Sequence, residues 1–376
     1  MLSTVQIQTP PDVIDLGRGD PSLAYLPLDM IRESAQVRLM ENDNSFLQYG
    51  AEQGDGHFLV ALANFLTSGY GFGIKPENLF ITNGISKALD LICTLCTQAG
   101  DTIFVEEPSY FLALKIFEDH RLNVVTIETD ENGLDLASLE EKLAESRPKF
   151  LYLIPSFHNP SGRTLSPERR DRLAQLAKEH DFLIVADEVY HFLKYGSQIF
   201  KPLAFYTDSE NVISLGSFSK ILAPGLRLGW LQAHPNIIKR FTSCGLMDSG
   251  GGMNPFTSAM VRGILESGGL EKNIGKLRQI YQNQASVMDE ALRLHLPDAV
   301  YEIPQGGYFF WLSLPDPINT IELRKKAPAF KVDFRPGALF SSRNQLQNYM
   351  RLCFAHYDKA QIEEGILRLK ECMAGN

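Results

Sequence analysis

Short apolar runs alternate with helix-length stretches through the middle of the chain. The runs lie at 79–82, 102–105, 124–127, 150–154, 182–186, 212–215 and 228–231. They are apolar at nearly consecutive positions, which is typical of strands that helices cover on both faces. This pattern predicts an α/β fold whose core is a mostly parallel, doubly wound sheet.

The pattern changes near residue 270. A long charged helical stretch at 271–294 is followed by a predicted strand at 308–312 and by helices at 321–326 and 359–373. We therefore predict a large α/β domain over 48–270 and a smaller α+β domain over 271–376. Residues 1–47, with a helical stretch at 30–40, are predicted to form an N-terminal arm and part of the smaller domain.

Two predicted helix starts carry local signals. Ser138 stands three residues before Glu141, which is the spacing of a capping box. Ser166 followed by Pro167 offers an N-cap and a proline at the first helical position. Both signals predict helices that connect strands of the sheet.

The charge balance limits the possible partners. The chain has 376 residues, with 36 Lys and Arg against 45 Asp and Glu, which gives a formal net charge of −9. Nucleic-acid phosphates require a basic surface, so we expect no nucleic-acid partner. No segment approaches the roughly 20 apolar residues that cross a bilayer, and the first residues lack a basic signal-peptide start. We therefore expect a cytoplasmic protein that does not bind a membrane.

The five cysteines are scattered along the chain. Cys93 and Cys96 are separated by two residues in an apolar run, where packing in a helix core explains them better than a metal or redox site. No second cysteine pair or histidine cluster completes a tetrahedral shell, so we predict no metal site.

The most informative segment is 216–230, which follows a predicted strand. It places Lys220 near the hydroxyl groups of Ser217 and Ser219, and Arg227 stands seven residues later beside glycines. Burial and cationic neighbours would lower the pKa of such a lysine, so that its neutral amine could attack an aldehyde carbon. The alternative is a surface lysine at a strand end, because a Ser-x-x-Lys match is short and occurs by chance.

Residues 82–90 also follow a predicted strand and open a helix. The free N–H groups of Ile85 and Ser86, together with the Ser86 hydroxyl, could hold a phosphate at this helix start. The alternative is a plain strand-to-helix turn in which Gly84 allows the tight bend.

Two charged residues stand in otherwise apolar surroundings. Asp187 ends the run 182–186, and the carboxyl edge of a parallel sheet is where open α/β folds bind ligands. Alternatively, Asp187 caps the next turn. Arg351 stands in the strand-like run 349–354, and its planar guanidinium could bind a carboxylate through two parallel hydrogen bonds.

With these motifs in this order, the sequence resembles the fold type I, pyridoxal 5'-phosphate (PLP) dependent aminotransferases of class I and II. The resemblance runs from about residue 15 to the C-terminus. It is greatest to the group that contains 2-aminoadipate, aromatic and kynurenine aminotransferases and the catalytic half of the MocR regulators. It implies PLP as the cofactor and a large domain with a mostly parallel sheet beside a smaller α+β domain.

The resemblance also implies roles for individual residues. Lys220 would carry the cofactor as a Schiff base and move the Cα proton of the substrate. Asp187 would face the pyridine nitrogen, while Tyr190 and Asn159 would hydrogen-bond the phenolate oxygen. The other implied cofactor-binding residues are Tyr110 on the ring face and, around the phosphate, Gly84, Ile85, Ser86, Ser217, Ser219, Arg227 and Tyr49 from the second subunit of a homodimer.

The implied reaction moves an amino group from an L-α-amino acid, with aromatic or dicarboxylic side chains favoured, to a 2-oxo acid. Arg351, with Asn159, would bind the substrate α-carboxylate. The segment 17–21 should help to select the side chain, and its candidates are Gly19 and Arg18. Arg18 could bind a second carboxylate or simply face solvent.

Two other functions are compatible with the same resemblance. A PLP-dependent lyase or carbon–carbon bond-forming synthase would use the same cofactor site, because these reactions share their first step. A MocR-like ligand-sensing domain is the second alternative. The acidity of the chain and its short stretch before the resemblance argue against DNA binding.

Overall fold

The fold consists of a large central sheet, a small antiparallel sheet and helices around both. The computed structural model describes residues 5–196 and 200–375. Its strands are β1 (Ile14–Asp15), β2 (Leu79–Thr82), β3 (Thr102–Glu107), β4 (Asn123–Asp130), β5 (Gly133–Leu134), β6 (Phe150–Leu153), β7 (Leu183–Asp187), β8 (Val212–Ser217), β9 (Gly229–Ala233), β10 (Phe309–Ser313), β11 (Val332–Asp333), β12 (Arg335–Pro336) and β13 (Tyr349–Cys353). Its α-helices are α1 (Leu28–Met40), α2 (Gly56–Tyr70), α3 (Ile85–Cys96), α4 (Phe111–Asp119), α5 (Leu136–Glu145), α6 (Pro167–Glu179), α7 (Pro235–Thr242), α8 (Gly245–Gly250), α9 (Pro255–Glu266), α10 (Gly269–His295), α11 (Thr320–Lys326) and α12 (Lys359–Ala374).

The central sheet has the strand order β2-β9-β8-β7-β6-β3-β4-β5. The strands β8, β7, β6, β3 and β4 run parallel to one another, whereas β9 is antiparallel to both of its neighbours and β5 is antiparallel to β4. The predicted α/β fold with a mostly parallel sheet is confirmed.

Burial on both faces explains the continuous apolar runs. In β6, Phe150 and Tyr152 pack into the larger hydrophobic cluster, while Leu151 and Leu153 pack into a second cluster. Because successive side chains of a strand point to opposite faces, both faces of β6 are covered. The second cluster includes Leu139 of α5.

The C-terminal part contains the small sheet, in the order β10-β13-β12, with antiparallel pairing. Near the N-terminus, β1 pairs in parallel with β11, so a segment from the start of the chain joins the C-terminal part. This pairing is compatible with the proposed domain boundaries, which stay a prediction.

One of the two helix-start predictions is confirmed and the other is wrong. Ser166 caps α6 by accepting a hydrogen bond from the Arg169 N–H at 3.3 Å, and Pro167 is the first helical residue. By contrast, α5 begins before Ser138, and Asp135 is its N-cap. Asp135 offers a carboxylate three residues earlier, so Ser138 lies inside the helix and accepts the Glu128 N–H at 3.2 Å.

Among the described residues, none of the helices combines the length and the apolar character that crossing a membrane requires. The same residues contain no group of three or more His, Cys, Asp or Glu side chains that could hold a metal ion.

Candidate functional site

Most of the predicted site residues line one cleft at the carboxyl ends of β7 and β8. The cleft is bordered by the start of α3, the strand β13 and the N-terminal segment 17–21. The predicted residues in its lining are Arg18, Gly19, Ile85, Ser86, Tyr110, Asn159, Asp187, Tyr190, Ser217, Ser219, Lys220, Arg227 and Arg351. The structure therefore brings together residues that lie up to several hundred positions apart.

Lys220 stands just beyond the end of β8. Its Nζ donates a hydrogen bond to the carbonyl oxygen of Gly19 at 2.5 Å and lies 5.5 Å from the ring centre of Tyr308. Burial of the ammonium group lowers the pKa of Lys220 to about 8. A neutral, nucleophilic amine is therefore available at much lower pH than for an exposed lysine.

Asp187 is the last residue of β7 and is buried beside the same cleft. Its Oδ2 accepts a hydrogen bond from the Tyr152 hydroxyl at 3.0 Å, and its Oδ1 accepts the Val189 N–H at 3.2 Å. Burial raises the pKa of Asp187 to about 6. A buried carboxylate of this kind gains most from a cationic partner, such as a protonated ring nitrogen.

The start of α3 forms an anion cradle. Gly84 precedes the helix with a φ of +83° and gives it no side-chain cap, so the first helical N–H groups face the cleft uncapped. Arg227 lies directly against this turn, because a Cβ on Gly84 would be 2.6 Å from its Nη2. Ser217 and Ser219 complete the cradle, with their Oγ atoms 2.9 Å apart. Helix N–H groups, hydroxyls and a guanidinium together fit a phosphate.

Arg351 lies in the middle of β13, with 3% of its surface exposed. Its Nη1 donates to the Oδ1 of Asn159 at 2.7 Å and its Nη2 donates to the carbonyl oxygen of Gly17 at 2.6 Å. Its buried Nε has no hydrogen-bond partner among the described residues. Burial lowers the pKa of Arg351 to about 10, so the group stays charged at neutral pH. A buried cation with neutral partners is well suited to bind a carboxylate.

Aromatic side chains surround this cation. The guanidinium of Arg351 lies 4.1 Å from the ring centre of Phe309 and 5.1 Å from that of Phe340. Tyr190 packs edge-on against Phe309, with ring centres 5.8 Å apart. Burial raises the pKa of Tyr110 to about 12, and the charges of Arg351, Asp187 and Arg227 all act on its hydroxyl. Tyr110 therefore lies near three of the charged groups that line the cleft.

Arg18 and Tyr49 are placed differently from the other predicted residues. Arg18 lines the outer cleft, but its Nε and Nη2 already donate to Asp20, at 2.9 and 2.6 Å. Its side chain is only 14% exposed, so it does not face solvent freely. Tyr49 is 84% exposed and does not line the cleft of its own chain.

Sequence reasoning missed several contacts of the site. Tyr152 donates to Asp187, and its only signal was a hydroxyl in an otherwise apolar strand. Phe340 contacts Arg351, but no local pattern marks it. Gly17 belongs to the segment 17–21 that the sequence analysis singled out, but its bond to Arg351 was not predicted because it joins distant segments.

The comparisons with known proteins agree with this geometry. Residues 11–369 match the family model "Aminotransferase class I and II". Aromatic-amino-acid aminotransferase 1 of Thermococcus litoralis is 36% identical over 370 residues, which cover 96% of this chain and 88% of that protein. Transcriptional regulators of the HTH type are also similar, for example YdfD of Bacillus subtilis, with 26% identity over 97% of this chain and 74% of the regulator.

Two solved structures extend the comparison. The first is the kynurenine aminotransferase of Pyrococcus horikoshii in complex with PMP. It is 34% identical with a TM-score of 0.91, and the match covers 97% of this chain and 91% of the kynurenine aminotransferase chain. The second structure is LysN, the α-aminoadipate aminotransferase of Thermus thermophilus, complexed with N-(5'-phosphopyridoxyl)-L-leucine. It is 31% identical with a TM-score of 0.89, and the match covers 97% of this chain and 93% of the LysN chain. This chain therefore belongs to the class I and II aminotransferase family and is a PLP-dependent aminotransferase.

Proposed function

We propose that the protein transfers the amino group of an L-α-amino acid with an aromatic or dicarboxylic side chain to a 2-oxo acid. The observation that carries this proposal is the buried guanidinium of Arg351, which has only neutral partners and an unpaired Nε among the described residues. The amino acid and the 2-oxo acid both carry an α-carboxylate, so both need a site that binds this group. Arg351 meets it by its charge and its planar fork of donors.

Within the cleft, each residue has a distinct task. Bound PLP supplies an aldehyde that condenses with amines and a ring that withdraws electrons from the substrate Cα. Arg351 orients the substrate through its carboxylate, and Asn159 holds the guanidinium in place through its Oδ1. Lys220 moves the proton of the substrate Cα, which its lowered pKa permits near neutral pH.

The remaining groups bind and tune the cofactor. Asp187 would hold a proton on the ring nitrogen, since a cation there would stabilise the buried carboxylate. The cradle at the start of α3 binds the phosphate, with contributions from Ile85, Ser86, Ser217, Ser219 and Arg227. Tyr190 and Asn159 would bind the phenolate oxygen, and Tyr110 would pack on the ring face. These assignments follow the resemblance and the position of each residue in the cleft.

An aromatic side chain is favoured over a dicarboxylic one. Phe309 lines the cleft beside Arg351, and its ring is an apolar group close to the carboxylate site; Phe340 packs behind the guanidinium. A second carboxylate, in contrast, would have to compete with Asp20 for the donors of Arg18. The similarity to an aromatic-amino-acid aminotransferase gives further support.

The PLP-loaded protein should convert L-phenylalanine and 2-oxoglutarate into phenylpyruvate and glutamate. We expect kcat/KM for phenylalanine to exceed that for 2-aminoadipate by about tenfold, the size of a modest specificity difference between side chains. Chromatography of both products over a panel of amino acids measures this. Release of ammonia or CO₂ without a new amino acid would overturn the proposal and support the lyase or synthase alternative.

A matched variant tests Arg18. If Arg18 binds a second carboxylate despite its bond to Asp20, Arg18→Ala lowers kcat/KM for 2-aminoadipate and leaves kcat/KM for phenylalanine unchanged. Equal losses for both substrates would exclude a selective role of this side chain.

We also propose that the protein is a homodimer in which Tyr49 reaches the phosphate site of the other subunit. Large apolar side chains are exposed on and after α1, including Val37, Leu39, Met40 and Leu47. A cluster of this kind is typical of a surface that another protein covers. Tyr49 follows this cluster directly and is itself exposed.

Subunit mixing should reveal the shared site. Lys220→Ala and Tyr49→Ala homodimers are both expected to be impaired, whereas a mixture that exchanges subunits should regain activity. In each mixed dimer, one of the two sites receives the native Lys220 and the native Tyr49. Activity after refolding the mixture is compared with that of each variant refolded alone. A fully active monomer, or no regain in proven heterodimers, would contradict the shared site.

We further propose a cytosolic location. The five cysteines are free thiols, and three of them, Cys93, Cys353 and Cys372, are buried. Reduced thiols are the normal state in the cytosol, where disulfides are rare.

A further inference from the structure

A single short segment of main chain contacts two of the cationic side chains that line the cleft, Lys220 and Arg351. The carbonyl oxygen of Gly19 accepts a hydrogen bond from Lys220 Nζ at 2.5 Å. The carbonyl oxygen of Gly17 accepts one from Arg351 Nη2 at 2.6 Å. The segment 17–19 comes from the N-terminal part of the chain, whereas Lys220 follows a strand of the central sheet and Arg351 belongs to the small sheet. The position of this segment therefore affects both functional groups together.

A buried ion pair holds the segment. Asp15 accepts the Gly17 N–H through its Oδ1 at 2.9 Å. The same carboxylate binds Arg335 in a fork, with Nη1 to Oδ1 at 3.2 Å and Nη2 to Oδ2 at 3.1 Å. The side chains of Asp15 and Arg335 are 9% and 16% exposed, so water screens the pair only weakly. Two parallel bonds also fix its geometry.

Arg335 also packs directly against the segment. A Cβ on Gly17 would lie 2.5 Å from Arg335 Nη1 and 2.8 Å from the backbone carbon of Phe334. Arg335 lies opposite Arg351 in the register of β12 and β13. The sheet that carries Arg351 therefore also carries the side chain that holds the segment contacting it.

We propose that Arg335 and Asp15 are positioning residues that hold the segment 17–19 against Arg351 and Lys220. Neither residue needs to touch the substrate. The proposal rests on the proposed function of Arg351 as the site of the substrate α-carboxylate. Losing the pair lets Gly17 and Gly19 move, which changes the orientation of Arg351 and removes the bond to Lys220 Nζ. Carboxylate affinity and the titration of Lys220 should then change in the same variant.

The chain offers a matched control. Arg324 and Arg335 both bind Asp333, Arg324 at 2.7 and 2.9 Å and Arg335 at 3.1 Å. Arg335 also binds Asp15, whereas the bonds of Arg324 go to Asp333. Arg335→Gln and Arg324→Gln therefore both remove a charge from the Asp333 cluster. They differ in the contact to Asp15 and in that Arg335 also lines the cleft, so Asp15→Asn is needed beside them.

The probe is 3-phenylpropanoate, which carries the carboxylate and ring of an aromatic substrate but no amino group. Calorimetry on the PLP-loaded enzyme should show that Arg335→Gln raises its Kd about tenfold or more, while Arg324→Gln changes it less than about twofold. In the cofactor-free protein, where the Lys220 amine is free to bond Gly19, the pH at which the rate of PLP uptake rises should shift in Arg335→Gln and not in Arg324→Gln. The titratable or charged groups that act on Lys220 are Asp20, Asp187, Arg351 and Cys353.

Asp15→Asn is the second variant, and it preserves the side-chain shape. If the pair acts as a unit, Asp15→Asn and the double variant should each raise the Kd about as much as Arg335→Gln alone. Equal behaviour of the Arg335→Gln and Arg324→Gln enzymes in both measurements would overturn the proposal. So would additive effects of the two substitutions.

The same experiment separates this inference from the proposed function. Arg351→Gln should abolish binding of 3-phenylpropanoate, and if it does not, the proposed role of Arg351 fails. The pH dependence of PLP uptake still decides the positioning role in that case, because it titrates the free Lys220 amine that the segment contacts. A shift in Arg335→Gln alone supports the proposal, and the absence of a shift overturns it.

Discussion

Replacing Lys220 with alanine should lower kcat/KM by about 10⁴-fold or more, because one side chain supplies both the amine that binds the cofactor and the group that moves the Cα proton. Among the described residues that line the cleft, no other lysine is present to replace it. Steady-state kinetics with the best amino donor measures the loss. PLP should still bind to the variant, since the phosphate cradle is unchanged.

Chemical trapping tests the assignment independently. Borohydride reduction of the wild-type enzyme should leave a pyridoxyl group on the peptide that contains Lys220. Because its pKa is lowered to about 8, the rate at which the cofactor-free protein takes up PLP should rise as the pH passes through about 8. A label on Lys87, which is partly exposed and paired with Asp90, would contradict the assignment.

Replacing Asp187 with asparagine should lower kcat by about 10² to 10³-fold, the usual cost of losing one well-placed electrostatic group. Asparagine keeps the shape of the side chain and can still accept a hydrogen bond from Tyr152 or Val189. It carries no negative charge, so it cannot hold a proton on the ring nitrogen. Single-turnover kinetics with bound PLP should show slow proton removal at unchanged cofactor content.

Tyr152→Phe is the control for this variant. It removes one donor to Asp187 and leaves the carboxylate in place, so its effect on kcat should be much smaller. Wild-type proton removal in the Asp187→Asn enzyme would show that the carboxylate does not act on the ring.

Local patterns were sufficient to place candidate groups that are neighbours in the chain. The phosphate cradle lies mostly within two short turns, at 84–86 and 217–227, and each follows a strand whose apolar run marks its end. Strand ends in a parallel sheet meet at one edge, so the apolar runs that precede Asp187 and Lys220 already indicate that these residues lie near each other. The helix start at Ser166 could also be predicted locally, because a cap joins residues that are only three positions apart.

The wrong helix start shows how local reasoning fails. Ser138 and Glu141 have the spacing of a capping box, yet Asp135 caps the helix because its stronger acceptor comes first. Ser138 is then free to accept a hydrogen bond from Glu128 in β4. Two candidates for one cap differ by little free energy, and contacts with the rest of the fold decide between them.

The sequence by itself determined the fold class and the parallel character of the main sheet, because both follow from side-chain periodicity. Through its resemblance to the aminotransferase family, the sequence also named the candidate groups for the chemistry, whose roles stay predictions. Only the tertiary structure decided what surrounds each group: Phe309 and Phe340 around Arg351, Asp20 on Arg18, and Asp15 with Arg335 behind the segment 17–19. The physical reason is that most of these contacts join residues far apart in the chain, and their geometry depends on how strands and helices pack, which no local pattern encodes.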